Sequence, residues 1–177
     1  MLQKVARPQS DEFPDAVRGY VKALEHEPDA LAALEHQQAV IAAIGRLQPE
    51  QASYRYAEGK WSVKEVVGHV TDAERIFGYR LLRIARGDET PLAPFDENKY
   101  AAMSNADHRE LHDLAKELAS VRQSSIALVR SLDDRMLANR GHMQAGPITA
   151  RGQIFVIAGH FEHHVHLLRE RYGVDLR

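Results

Sequence analysis

The sequence contains no cysteine. That excludes disulfides, thiolate zinc sites, iron–sulfur clusters and a cysteine nucleophile together. Any transition metal must then be held by imidazole nitrogen or carboxylate oxygen. Charge of one sign is also lacking: 23 basic and 25 acidic side chains leave a formal net charge of −2, whereas a nucleic-acid binder carries a basic excess or stripe. No apolar run approaches the roughly 20 residues of a membrane span. The opening MLQKVARPQSDEF has no apolar stretch of signal-peptide length. Strand-like alternation and internal repeats are missing too. The expectations are no nucleic-acid partner, no membrane and a cytoplasmic location.

What is present is helical periodicity. A chain of 177 residues, 44% hydrophobic and 27% charged, suits one domain over 1–177 with a real core. A first helix follows Pro28, with Asp29 as N-cap and Leu31, Leu34, Ile41 and Ile44 at helical spacing; Gly45 and Pro49 bracket its end. In the second, Ser62 and Glu65 form a capping box before Val63, Val66, Val67 and Val70, and the pattern persists through Ile76, Phe77, Leu81 and Ile84 to Gly87. A third is expected from a capping box at Asp107 and Glu110, with Leu111, Leu114, Leu118, Val121, Leu128 and Leu132 as its stripe. The fourth runs from near Thr149 to about Tyr172 and stops at Gly173. A shorter amphipathic segment, with Phe13, Val17, Tyr20, Val21 and Leu24, packs outside these four. The tail beyond Gly173 is too short to classify. The fold class is all-α, a four-helix bundle with a short N-terminal helical segment.

One connection carries topological information. Residues 88–106, DETPLAPFDENKYAAMSNA, read as a loop. A helix from 63 to 86 is about 36 Å long. At up to about 3.3 Å per residue, this loop can return along the whole helix. Helices two and three can therefore run parallel, joined by a long crossover.

Ten histidines are many for this length, and His160, His163, His164 and His166 fall within seven positions. His160 and His164 are about 40° apart around their helix and about 6 Å apart along it, so both can reach one ion. They lie within or beside the apolar face of Ile157, Phe161, Val165 and Leu168. His163 and His166 share a face with Glu162, Arg169 and Glu170, which is expected to be solvated. A pair alone is weak; His69, one turn beyond Val66 and one turn before Ala73, supplies the third inward imidazole. With helices two and four antiparallel, the three lie at similar levels. Asp72, a turn after His69, is a candidate to orient a ligand, although a solvated flank charge is at least as ordinary. Glu74 is expected at the surface. Arg80 and Arg83 are candidates to bind an anionic substrate, against the commoner reading of surface ion pairs.

The stretch YAEGKWSVKEVVGHVTDAERIFGYRLLRIARGDETPLAPFDENKY, with IAGHFEHHVHLLRERY, resembles the DinB-like superfamily, the branch that includes YfiT-like metal hydrolases. The similarity runs from about Phe13 to Tyr172, and its motif is a Trp-Ser helix start, a histidine seven residues after the Ser and paired histidines four apart in the last helix. The resemblance implies an up-down-down-up bundle, a homodimer, and a metal bound by His69, His160 and His164. It also implies a scaffold shared by thiol-dependent S-transferases, maleylpyruvate isomerase-like enzymes and stress-associated proteins, so the fold does not fix the reaction.

Three neutral imidazoles leave a divalent ion its full charge and an open position, the pattern of a catalytic site. Zinc and nickel suit imidazole best. Lacking cysteine, the chain must use water or a low-molecular-weight thiol cosubstrate as nucleophile. Two functions follow: a metal-dependent hydrolase or thiol S-transferase acting on a small molecule, or a non-catalytic, metal-stabilised stress-associated or binding protein. The crossover, with Pro91, Pro94, Phe95 and Tyr100, is expected to shape the substrate entrance.

Overall fold

The computed structural model describes residues 4–176; residues 1–3 and 177, the outermost positions of the expected 1–177 domain, lie outside the described residues. Four long helices form the bundle: α2 (Ala30–Ile44), α4 (Val63–Ala85), α6 (Leu111–Arg130) and α8 (Ala150–Tyr172). Around them stand α1 (Arg18–Ala23), α3 (Pro49–Ala52), α5 (Glu97–Met103) and α7 (Asp134–Ala138), with 3-10 turns at Asp15–Val17 and Ala106–His108.

Local chemistry sets most boundaries. Asp29 caps α2 by accepting from the Leu31 N–H at 3.0 Å. Ser62 and Glu65 close a reciprocal capping box on α4. Thr149 caps α8 by accepting from the Gly152 N–H at 3.0 Å. Gly173 ends α8 in the left-handed region, φ 65°. The expected capping box at Asp107 is not formed. The Asp107 carboxylate is instead engaged by the Ser62 hydroxyl and the Arg55 guanidinium, so the helix begins only at Leu111, with Glu110 making no side-chain cap. The crossover is not a bare loop either, since it folds into α5 and the Ala106–His108 turn; Asp96 accepts from the Asn98 and Lys99 N–H groups to start α5.

Strands do occur. Arg140–Met143 (β1) and Gly146–Thr149 (β2) form a small antiparallel hairpin, with Arg140 opposite Thr149 and Met143 opposite Gly146. Four residues per strand, with two glycines and one proline among the eight, are too few to reveal a period of two.

The course is up-down-down-up. Gln37 and Gln38 of α2 meet Arg122 and Gln123 of α6, while Glu35 meets Arg130 and Gly45 meets Ala115, so α2 and α6 are antiparallel. Between α4 and α6 the numbering rises together: Arg75 reaches Glu117, Glu74 reaches Arg122 and Gly78 faces Ser125. These two helices are parallel, as the length of the crossover suggested. The Tyr172 hydroxyl donates to the Trp61 carbonyl at 2.8 Å and the Gln153 side chain to that of Phe77, so α8 runs against α4.

Two apolar clusters fill the bundle, and each long helix crosses from one to the other. The crossing falls between Leu34 and Ile41 in α2, Val70 and Ala73 in α4, Leu118 and Ile126 in α6, and Ala158 and Phe161 in α8. Polar residues occupy that waist. Arg122, fully buried, donates to both carboxylate oxygens of Glu74 at 2.8 Å and to the Gln37 side-chain oxygen at 2.8 Å. Gln37 donates in turn to the Ala158 carbonyl at 2.9 Å. Glu74 is thus a core residue, correcting the surface position expected for it. Two of the six residues of the α6 stripe shift accordingly: Arg122, Ser125, Ile126 and Val129 face inward, while Val121 and Leu128 border an outer groove with α4.

Alpha-8 is buried on nearly every side, with all residues from Gln153 to Phe161 inside. Its outer face is covered by α1, and Gly159 permits that contact. A Cβ there would stand 2.0 Å from the Tyr20 carbonyl oxygen.

Candidate metal centre

Antiparallel packing of α4 on α8 brings the three inward histidines together at the waist. His69, His160 and His164 each present one nitrogen within 4.8 Å of the others, among the described residues. They are 7%, 4% and 8% exposed. The His69 and His160 Nε2 atoms are 3.2 Å apart. Two nitrogens bound tetrahedrally at about 2.0–2.1 Å to one ion stand about 3.3 Å apart, so the spacing suits a shared ion. Among the described residues the buried Nδ1 of His164 has no hydrogen-bond partner, which in a core calls for an explanation.

Electrostatics keep these rings neutral, the state in which imidazole is a ligand. Burial lowers His69 to about 4, with the Glu97 carboxylate opposing and His163 assisting. Burial lowers His160 to about 3, with His69 and His163 adding to the shift. Burial lowers His164 to about 2, and the other imidazoles reinforce it.

Aromatic rings enclose the cluster. Trp61, just before the Ser62 cap, lies 4.8 Å from the His69 ring. Phe77, two turns beyond His69 on α4, is 5.2 Å from His160. Tyr20 of α1 is 5.3 Å from His160 and 5.8 Å from His163, a placement that rests on Gly159. The crossover reaches the same rim: Phe95 packs on Phe77 at 6.3 Å, and half-exposed Tyr100 packs on Phe95 at 5.5 Å.

The other sequence candidates fall elsewhere. His163 and His166 are exposed, as expected, although the His163 ring touches His164 at 5.1 Å. Asp72 sits in the α4–α6 cleft beside Arg75, 3.4 Å away, and its pKa is raised by burial. Arg83 is tied to Asp88 at 2.7 Å. Sequence reasoning missed Glu97, whose charge is felt at both His69 and Tyr20. The available signal was the Asp96 cap, which starts α5 with Glu97 as its first residue.

Comparison with known proteins agrees with this geometry. The family model described as the DinB superfamily matches residues 32–168. A protein of Oceanobacillus iheyensis named "putative metal-dependent hydrolase" is 27% identical over 124 residues, covering 69% of this chain and 70% of that one. A protein of the same name from Geobacillus thermodenitrificans is 26% identical over 164 residues, 89% and 86% of the two chains. The solved structure of YfiT from Bacillus subtilis, described as "a probable metal-dependent hydrolase with an unusual four-helix bundle topology", superimposes with a TM-score of 0.65. It is 21% identical and aligns over 95% of this chain and 94% of that one. No described helix is long and apolar enough to cross a membrane.

Proposed function

Since the chain belongs to the DinB superfamily, we propose that it is a single-domain, metal-dependent hydrolase of a small molecule, with one divalent ion held by His69, His160 and His164. The observation that carries this reading is the buried trio itself: three neutral imidazoles from two antiparallel helices, with nitrogens within 4.8 Å and one Nδ1 unpartnered. The relatives named as metal-dependent hydrolases support it. Zinc or nickel is the ion of choice for such donors. A cytoplasmic homodimer is part of the same proposal.

Bound there, a divalent ion supplies Lewis acidity, which acidifies water or a thiol and polarises a substrate oxygen. The chain's own residues do the rest. His69, His160 and His164 remain unprotonated, so no acid–base change of their own competes with binding. Trp61 and Phe77 exclude bulk water from two sides, which strengthens every charge interaction inside. Tyr20 and Glu97 stand at the rim, where a hydroxyl and a carboxylate can orient the substrate. Because the chain has no cysteine, a thiol S-transferase variant of the reaction would need a free low-molecular-weight thiol.

A second reading, a non-catalytic metal-stabilised stress or binding protein, is favoured by one observation: each histidine is under a tenth exposed and ringed by aromatic side chains. One experiment separates the two. The full chain is loaded with zinc or nickel, its metal measured, and its turnover followed on a panel of esters, amides and phosphoesters. The emission of Trp61, the sole tryptophan, reports occupancy beside His69. About one ion per chain is expected, lost in His69→Ala and His164→Ala and retained in His163→Ala and His166→Ala. A need for the outer pair instead would overturn the ligand assignment. Full occupancy without turnover of any substrate class would select the second reading.

A further inference from the structure

Arg80 is a cation for which the histidine centre has no use. It projects from α4 one turn beyond Phe77 and is half-buried. Its guanidinium carbon stands 5.8 Å from the Phe77 ring centre and 5.8 Å from that of Phe95, over both rings at once. Its Nη2 donates to the Ala93 carbonyl. Among the described residues it has no carboxylate partner; burial alone acts on it, lowering its pKa. Its neighbour Arg83 is the contrast, donating to Asp88 at 2.7 Å and to the Thr90 carbonyl at 2.9 Å.

A half-desolvated guanidinium without an anion is an unusual arrangement, because the charge loses water and receives only ring faces and one carbonyl. A guanidinium carries five N–H donors in a planar fork. Two rings and one carbonyl cannot engage all five donors, so N–H groups remain for a ligand. Arg80 borders a cleft of about 400 Å³ between the crossover and the hairpin tip, lined also by Leu92, Pro94, Met143, Gln144 and Ala145. The size is that of a small-molecule site. Its walls are mainly apolar, Gln144 adds an amide, and no acidic residue lines it.

We propose that this cleft is an anion subsite, in which Arg80 grips the carboxylate or phosphate end of a small ligand whose apolar part lies against Leu92, Pro94 and Met143. The geometry extends the proposal to the substrate. Phe77 neighbours both Arg80 and, at 5.2 Å, His160, so the subsite lies one aromatic ring away from the histidine trio. This extension rests on the hydrolase reading and narrows its substrates to anionic esters, amides or phosphoesters. Binding of the anion itself does not need the metal.

The test is calorimetric titration of inorganic phosphate and of benzoate into the full chain, metal-loaded and metal-stripped. Saturable binding of at least one probe is expected in both forms. Arg80→Gln should weaken it tenfold or more and Arg80→Lys, which keeps the charge but loses the fork, several-fold. Arg83→Gln should leave it unchanged, and circular dichroism verifies the fold of each variant. Binding only to the metal-loaded chain and indifferent to Arg80 would put the anion on the ion and overturn the proposal. So would equal binding by both Arg80 variants and the wild type, equal loss in Arg83→Gln, or no saturation up to about tens of millimolar. A chain that takes up no metal yet binds phosphate through Arg80 would sink the hydrolase reading and leave the subsite standing.

Discussion

Mild acid should destabilise the metal-free protein before its carboxylates are protonated, through three buried imidazoles. In the unfolded chain each imidazole titrates near 6.5. In the folded chain burial holds His69 at about 4, His160 at about 3 and His164 at about 2. The folded state therefore binds fewer protons than the unfolded one between those values. Stability is at its full value above pH 6.5, falls as the pH drops below it, and continues to fall until the folded pKa values are reached. At pH 5.0, about 1.5 units below the unfolded value, each imidazole costs about 2 kcal/mol, or about 6 kcal/mol for the three. Against a typical total of about 5–15 kcal/mol, that is enough to unfold much of the population. Urea unfolding of chelator-treated protein at several pH values from 7.5 to 5.0, followed by circular dichroism, measures it. His164→Leu removes one of the three groups and should cut the loss to about 4 kcal/mol. A stability that stays level over this range, or falls as steeply in His164→Leu, refutes the reasoning.

The waist supplies a second test. Arg122→Met strands the Glu74 carboxylate in the core and should cost about 3–5 kcal/mol, whereas Arg122→Met with Glu74→Leu should recover most of that loss; chemical denaturation of both variants and of the parent decides. Gly159→Ala should cost about 2–3 kcal/mol, because its Cβ meets the Tyr20 backbone at 2.0 Å and backbone cannot give way as a side-chain tip can. Limited proteolysis should then cut within 13–24 sooner than in the parent, and unchanged cleavage would show that α1 accommodates the methyl group.

Much of the fold was legible because its helix ends are written in local chemistry. Asp29, the Ser62–Glu65 pair, Thr149 and Gly173 act within a few residues of themselves. The length of the crossover told the direction of α6 for an equally simple reason, that chain must cover distance. The convergence of His69 with His160 and His164 followed from the same directions. What failed was whatever depended on distant partners. Asp107 looks like a cap until Ser62, 45 positions away, claims its carboxylate. Glu74 looks like a surface acid until Arg122, 48 positions away, is placed beside it. Once Arg122 is known to point inward, the stripe of α6 must rotate, and no periodicity in a single segment can show that. Arg80 was visible as a candidate beside Arg83, but their difference lies in Asp88, which neutralises one and not the other.

These misreadings and the histidine trio have a common origin in the waist. A polar layer across a bundle core lowers stability unless its donors and acceptors are matched, and nature retains such layers for specificity or for function. Here the layer divides. On the α2–α6 side, the Arg122 fork meets Glu74 and Gln37, and Gln37 passes the bond to the Ala158 carbonyl; that half fixes four helices in register. On the α4–α8 side, the Nε2 atoms of His69 and His160 meet each other at 3.2 Å, and among the described residues the His164 Nδ1 has no partner. Stability alone would favour leucine at those three positions, since a leucine neither resists protonation nor leaves a nitrogen unmatched. A layer closed on one side and left incomplete on the other is built to be completed by something the chain does not encode. Three neutral imidazoles narrow that to an electron-pair acceptor, and the aromatic wall of Trp61 and Phe77 keeps bulk water out of the opening it would fill.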